Sequence, residues 1–203
     1  MVTYVIPTLW KDPNIFKTIK SFSLIEDLNA RMIIINNTDM IRGSTDFRVE
    51  FVNVNPAWNL GVHKSQTEYV CLLNDDLIFD LKTLHEYITQ NKPEFVGFSE
   101  LNRETTPTKD FIQLIRYKDR NKMPYGFGQL MLFKKNNYPI IQDNMKIFCG
   151  DDVIYYYHTL VLGIELMFID GIKFPGNYSV SAKDWWDSKI AKEDIMGYLK
   201  WTS

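Results

Sequence analysis

The chain has 203 residues, 45% of them hydrophobic, 14% aromatic and 24% charged, with a formal net charge of −2. This composition supports a sizeable apolar core in one ordinary domain or two tightly joined halves; it excludes a disordered chain, a collagen-like repeat and a disulfide scaffold. The charge balance leaves no global positive field for long nucleic acid, so any such contact rests on a local patch.

Residues 2–6, VTYVI, are β-branched and aromatic and predict a buried strand that Pro7 stops. Asp12-Pro13 opens a helix as cap and first turn, followed by Ile15, Phe16, Ile19 and Phe22 at helical spacing. Strands are expected at 31–35, 49–54 and 69–73, with a short helix after Asn55-Pro56-Ala57-Trp58-Asn59-Leu60-Gly61-Val62. Alternation of strand and helix predicts a mainly parallel sheet with helices on both sides. The second half is more mixed. A helix is expected over Leu81–Asn91 and strands over 95–98, 111–117, 128–133 and 165–169. Polar loops lie between them, a helix over Asp151–Leu162 is stopped by Gly163, and the tail carries Trp185, Trp186, Tyr198 and Trp201. Neither a repeat nor a linker divides the chain, so one domain is expected over 1–203. Cys71 and Cys149 lack metal-ligand spacing and read as buried thiols. The start resembles no signal peptide and no run is long enough to span a bilayer, so a cytoplasmic protein is expected.

In a parallel sheet, ligands bind beyond the carboxyl ends of the strands. Polar clusters fall at three such ends, Pro7-Thr8, Asn36-Asn37-Thr38 and Asn74-Asp75-Asp76, and a fourth, Gly150-Asp151-Asp152, precedes a helix. Two carboxylates after a buried strand suit a hard divalent cation such as Mg²⁺ or Mn²⁺. Taken singly, either acidic cluster also reads as a polar turn with a helix cap.

The segments VIPTLW, IIINNT, NPAWNLGVHKS, EYVCLLNDDLIF, GFGQLMLFKK and FCGDDVIYYYHTLVLGIELMFIDG, in this order over residues 2 to 175, resemble a family-2-type glycosyltransferase of the GT-A fold. The resemblance implies an α/β fold with a Rossmann-like, mainly parallel central sheet flanked by helices. A nucleotide-sugar half (about 1–98) would precede a mixed acceptor-binding half (about 99–203) carrying the catalytic base. Pro7, Thr8 and Trp10 would line the nucleotide pocket, and Asn36, Asn37 or Asp39 would meet the base edge or ribose. Asn59, Gly61 and Lys64 match the segment that approaches the diphosphate, where Gly permits close backbone approach and Lys supplies charge. Asn74-Asp75-Asp76 stands where the family has Asp-any-Asp. Asp76 would hold Mn²⁺ or Mg²⁺, Asp75 and Asn74 would support the donor, and Asn in the first position weakens the metal site. Asp152 or Asp151 matches the acid from which the catalytic base comes. The implied reaction transfers a sugar from a nucleotide-diphosphate donor, UDP by family precedent, to a hydroxyl with inversion.

Many relatives have a late His ligand that IDGIKFPGNYSVSAKD lacks. His158, in an aromatic run, reads as packing; His63 lies beside the proposed diphosphate segment. The acceptor is the open question. RYKDRNK (116–122) is a short basic loop near Phe111, Tyr117 and Tyr125. With the small size and the AT-rich character suggested by abundant Lys, Asn and Ile, it makes hydroxymethylated bases of bacteriophage DNA a candidate acceptor, which would place the enzyme in the host cytoplasm. A solvated loop is the plainer reading. Surface-glycan and lipid-linked acceptors, and a non-catalytic sugar-nucleotide or glycan-binding module, stay open. A polymerase is excluded by length despite the Gly-Asp-Asp string.

Overall fold

Strand β1 (Val2–Thr8) is buried at all seven positions, as a strand covered on both faces must be. Its alternate residues feed two cores. Val2, Tyr4 and Ile6 join a cluster with Ile15 and Phe22 of α1 (Asn14–Phe22) and with Leu81, Leu84 and Ile88 of α3 (Leu81–Asn91). Val5 joins the opposite cluster with Ala57, Trp58 and Val62 of α2 (Val54–Lys64) and with Val153, Ile154 and Tyr155 of α4 (Gly150–Tyr156). The computed structural model describes residues 1–8, 14–23, 25, 29–36, 47–48, 54–75, 81–98, 113–124, 126–170 and 189–202.

The remaining strands are β2 (Ala30–Asn36), β3 (Phe47–Arg48), β4 (Tyr69–Leu73), β5 (Phe95–Gly97), β6 (Gln113–Arg116), β7 (Leu130–Lys134) and β8 (Met167–Asp170). One eight-stranded sheet takes the order β3-β2-β1-β4-β7-β5-β8-β6. The pairs β1–β2, β1–β4, β2–β3 and β5–β8 are parallel; β7 runs antiparallel between β4 and β5, and β6 antiparallel to β8. A mainly parallel sheet flanked by helices is therefore present, and it runs through both halves of the chain. No helix among the described residues is long and apolar enough to cross a membrane.

Several expected boundaries move. Pro7 does not stop β1: it pairs in register with Ile35, while the β1–β4 ladder ends at Val5 opposite Leu72. Pro7 thus has a paired neighbour on one side only, where a missing N–H is tolerated. Val54, expected in a strand, begins α2, and the segment through Val62 is itself the helix, with Pro56 in its first turn. The helix after Gly150 turns π-helical over Tyr157–Val161 before Gly163, whose φ of 67° makes the expected left-handed stop. The tail forms a helix that the sequence pattern does not predict, α5 (Lys189–Thr202). The expected start at Asp12-Pro13, the strand at 49–53, the loop at 99–110 and the Trp185-Trp186 doublet lie outside the described residues.

Candidate active site

Outward from β1 the strand order runs one way through β2 and β3 and the other way to β4, so the sheet's switch point falls between β1 and β4. The crevice beyond the carboxyl ends of two such strands is where ligands bind in open α/β sheets. The last residue of β1, Thr8, is buried and donates its hydroxyl hydrogen to Asp75 Oδ2 at 2.6 Å. Asn36, also buried, lies beside Thr8 in the parallel register. Pro7, Thr8, Asn36, Asn74 and Asp75 therefore share one edge. Trp10, Asn37, Asp39 and Asp76 lie outside the described residues.

The second acidic cluster reaches this edge through β7. The Asn74 N–H donates to Gln129 O at 3.0 Å. The neighbouring Gly128 is in close contact with Asp151: a Cβ there would lie 2.6 Å from Asp151 Oδ2. Only a residue without a side chain lets that carboxylate sit against the strand entry. Asn74, the neighbour of Asp75, and Asp151 are thus linked by two consecutive residues, Gln129 and Gly128, in the turn that leads into β7.

The segment before the acid pair is held from both sides. Asp194 of α5 is fully buried, and its carboxylate accepts the backbone N–H groups of Lys146, Ile147 and Phe148 at 2.7, 2.7 and 2.8 Å. From α2, the Asn55 N–H donates to Lys146 O and its Nδ2 to Phe148 O. Gly150 beds so closely on Asn55 and Trp58 that a Cβ would meet Asn55 Oδ1 at 2.1 Å. Between these clamps Cys149 adopts a φ of 60°, a left-handed conformation that a non-glycine residue holds only when its surroundings require it. The N-terminus of α4 is placed rigidly, and Asp151 and Asp152 occupy its first turn.

Both acids are half-buried. Burial, then the adjacent charge of Asp152, pushes Asp151 up to about 6; burial raises Asp152 as well. Carboxylates so placed are stronger bases than exposed ones. Tyr198 of α5 stands within the field of Asp152, its phenol pushed up to about 12 by burial and then by that charge. Its ring stacks with Trp201 at 6.1 Å between centroids.

Other expected residues have structural engagements. Asn59 donates to Ile141 O at 2.8 Å and accepts from Tyr138 Oη and Ile141 N, so its amide is spent on fixing 138–141. Gly61 lies under Val5, where a Cβ would come within 2.2 Å of Cγ1; its smallness serves helix–strand contact. Lys64 and His63 end α2, which runs back toward the strand starts. That edge is marked by the 2.7 Å bond between Thr3 and Thr67 and by Tyr69 N–H donating to Met1 O. The diphosphate-facing role expected for Lys64 does not go with this position. Trp58 is core. His158 is stacked on Phe95 at 4.2 Å, bonds Ile154 O through Nδ1, and burial pushes it down to about 4, in keeping with packing. Burial raises both thiols, Cys149 to about 12. In the basic loop, Arg116 and Arg120 both pair with Glu165, leaving Lys118 and Lys122 exposed, while Tyr155 donates to Asp119 O and tethers the loop to α4.

Asp194, Gly128, Asn55 and Tyr198 had no place in the sequence-derived site. Asp194 reads as an ordinary surface acid of a helix, and the other three acquire meaning only through partners distant in sequence.

Among the described residues no three His, Cys, Asp or Glu side chains group as a metal site. Those on the edge that could contribute, Asp75 and Thr8, offer oxygen. The three imidazoles lie elsewhere: His63 is at the opposite edge, His85 bonds Tyr4 Oη and His158 is packed. The donor chemistry fits a hard cation of the Mg²⁺ or Mn²⁺ class rather than zinc.

No protein-family model and no curated protein matches the chain in sequence. Solved structures do match in shape. A mannosyltransferase from Pyrobaculum calidifontis, in complex with GDP-Man and Mn²⁺, superposes with a TM-score of 0.61 at 13% identity, over 99% of this chain and 64% of that one. TarS residues 1–349 from S. aureus give 0.58 at 10% identity, over 98% and 65%. A Drosophila beta-1,4-galactosyltransferase 7 mutant with manganese, UDP-Gal and xylobiose gives 0.53 at 9%, over 91% and 74%. The chain spans less than two-thirds of the length of the TarS fragment and of the mannosyltransferase, 65% and 64%. It has the GT-A fold.

Proposed function

We propose that the chain is a glycosyltransferase that moves a sugar from a nucleotide-diphosphate donor, with UDP the first candidate, to an acceptor hydroxyl. One observation supports this reading: Asn74, beside Asp75, bonds Gln129 at the end of β4, and the preceding residue, Gly128, lies against Asp151, so the two acidic stretches, far apart in sequence, are linked through two consecutive residues. The GT-A fold agrees with it.

In this reading Thr8 and Asn36 face the nucleotide, with Pro7 shaping the backbone beside them. Thr8 orients Asp75, and Asn74 and Asp75 hold the donor. Asp76, with Asp75 beside it, is the position that would hold Mn²⁺ or Mg²⁺. When bound, such an ion would supply positive charge for the leaving diphosphate. Asp151 or Asp152 accepts the proton of the acceptor hydroxyl as its oxygen bonds to the anomeric carbon. The bond from that carbon to the diphosphate breaks with its electron pair leaving on phosphate, and a single displacement inverts the centre. Burial suits the acid pair to this role by raising its basicity. Lys64 has no part in it.

The test is nucleotide release and sugar transfer from a panel of UDP- and GDP-sugars with Mn²⁺ or Mg²⁺. Metal-dependent turnover is expected, and Asp151→Asn or Asp152→Asn should lower kcat by about 10²–10⁴-fold with donor affinity retained. Full turnover in both variants defeats the assignment. The acceptor is read in the same assay from hydroxymethylated DNA, digested to nucleosides for mass spectrometry, against soluble glycans and lipid-linked saccharides. The DNA arm has Lys118 and Lys122 in its favour; the pairing of Arg116 and Arg120 with Glu165 reduces the positive charge available to it.

A further inference from the structure

Helix α5 is packed with its small and polar side inward. Its buried residues are Ala191, Asp194 and Gly197. Ile195, Met196 and Leu199, the large aliphatic ones, are 36%, 56% and 53% exposed. Gly197 makes this seating possible, since a Cβ there would lie 2.8 Å from Met145 Cγ. With roughly 3.6 residues per turn, Ile195, Met196 and Leu199 fall on one outward arc together with Lys192. Alongside that arc, α5 and residues 144–146 border an open groove of about 550 Å³ whose lining includes Lys146, Lys189, Lys192 and Lys200. The carboxylate in the lining, Glu193, is paired with Lys189 at 3.6 Å, and lysines outnumber carboxylates along the groove in a chain that is net negative.

We infer that this face of α5 docks on an anionic lipid surface, the three aliphatic side chains entering the headgroup boundary and the lysines meeting lipid phosphates. The combination selects the occupant. A soluble polyanion would match the lysines and leave three aliphatic side chains in water. A second copy meeting the same face would set lysine against lysine. An anionic bilayer surface satisfies both parts, and helix length does not enter because the helix lies in the interface. The inference stands without the glycosyltransferase reading. Joined to it, a lipid-borne acceptor follows, because the buried side of this helix holds the segment leading to Asp151 and Asp152.

Co-sedimentation of the full chain with vesicles tests it, using phosphatidylcholine alone and phosphatidylcholine mixed with phosphatidylglycerol. Binding is expected to the mixed vesicles only, weakening with added salt. The double variant Met196→Gln/Leu199→Gln should lose about tenfold in partitioning. Lys189→Gln/Lys192→Gln should lose roughly fivefold per lysine, and Lys118→Gln/Lys122→Gln should lose nothing. The proposal is overturned if the wild type ignores anionic vesicles or if the Met196/Leu199 variant binds as well as wild type. It is also overturned if oligo(dT) binds these lysines while vesicles do not, or if sedimentation velocity finds a dimer that the same variants dissolve. Transfer to soluble glycan acceptors should stay within about twofold in the Met196/Leu199 and Lys189/Lys192 variants, since these side chains lie on the outer side of α5, away from the acid pair. Vesicle binding without any transfer would count against the enzymatic reading alone.

Discussion

Asp194 shows how one side chain can decide the geometry of a site it does not enter. Three backbone N–H groups converge on its carboxylate within 2.8 Å, and the residues that donate them lead through the strained Cys149 into Asp151 and Asp152. Hydrogen bonds to a buried charge are worth more than neutral ones, and an unmatched donor there is costly. Asparagine has one acceptor oxygen and would turn an N–H of its own toward the others. Asp194→Asn should therefore destabilise the fold by about 2–3 kcal/mol in urea titrations. It should also lower kcat by about tenfold or more at saturating donor, with donor affinity unchanged. As the acid pair loses burial, its raised basicity relaxes toward that of an ordinary carboxylate, and the acid limb of the kcat profile moves to lower pH. An unshifted profile with full kcat in the folded variant would leave Asp194 a purely structural anchor.

Among the elements, the close approaches are made by glycines whose roles differ, and a single methyl group separates them. At Gly61 the added carbon collides with Val5 in the central strand, so Gly61→Ala should cost about 1–3 kcal/mol of stability. At Gly128 the first obstacle is the Asp151 carboxylate, which can turn away; Gly128→Ala should retain most stability and lose turnover. Equal effects of the two on melting temperature and kcat would contradict this division. The same local logic explains which elements could be read beforehand. The ends of β4 and α3 were legible because continuous apolar character or helical spacing coincides there with the packing. The start of α2 was not, because Val54 favours a strand by propensity and tertiary contact overrides it. Helix α5 escaped because its periodicity is inverted: the aliphatic residues that should mark a buried stripe point outward, and an acid and a glycine take the inner face.

At the scale of the molecule, strand order decides where a site can be, and that much is visible in a sequence that alternates strand and helix and ends its strands in Asn, Asp and Thr. What links the two acidic clusters is non-local, an antiparallel β7 beside β4, and no spacing announces it. Burial across this fold has a further, measurable consequence, because it raises the acid pair and lowers His158. Asp151 is raised from 3.8 to about 6, so between those values the folded chain keeps a proton that the unfolded chain releases, and its contribution to stability falls as pH rises. His158 is lowered from 6.5 to about 4, so the unfolded chain takes up a proton that the folded chain refuses, and stability falls as pH drops through that window. The slopes of Asp151 and His158 oppose each other from about pH 4 to 6. Removing either group should expose the other. Relative to wild type, Asp151→Asn should gain stability as pH rises from about 4 to 6, ending on the order of 1 kcal/mol more stable at neutral pH. His158→Leu should show the reverse trend, its disadvantage against wild type shrinking as pH falls over the same range. Urea denaturation at several pH values reads both differences, and parallel curves for the three proteins would refute the opposed titrations. If Asp151 is also the base, the variant that is more stable at neutral pH is the one that loses turnover, as expected where a buried charge is retained for chemistry rather than for the fold.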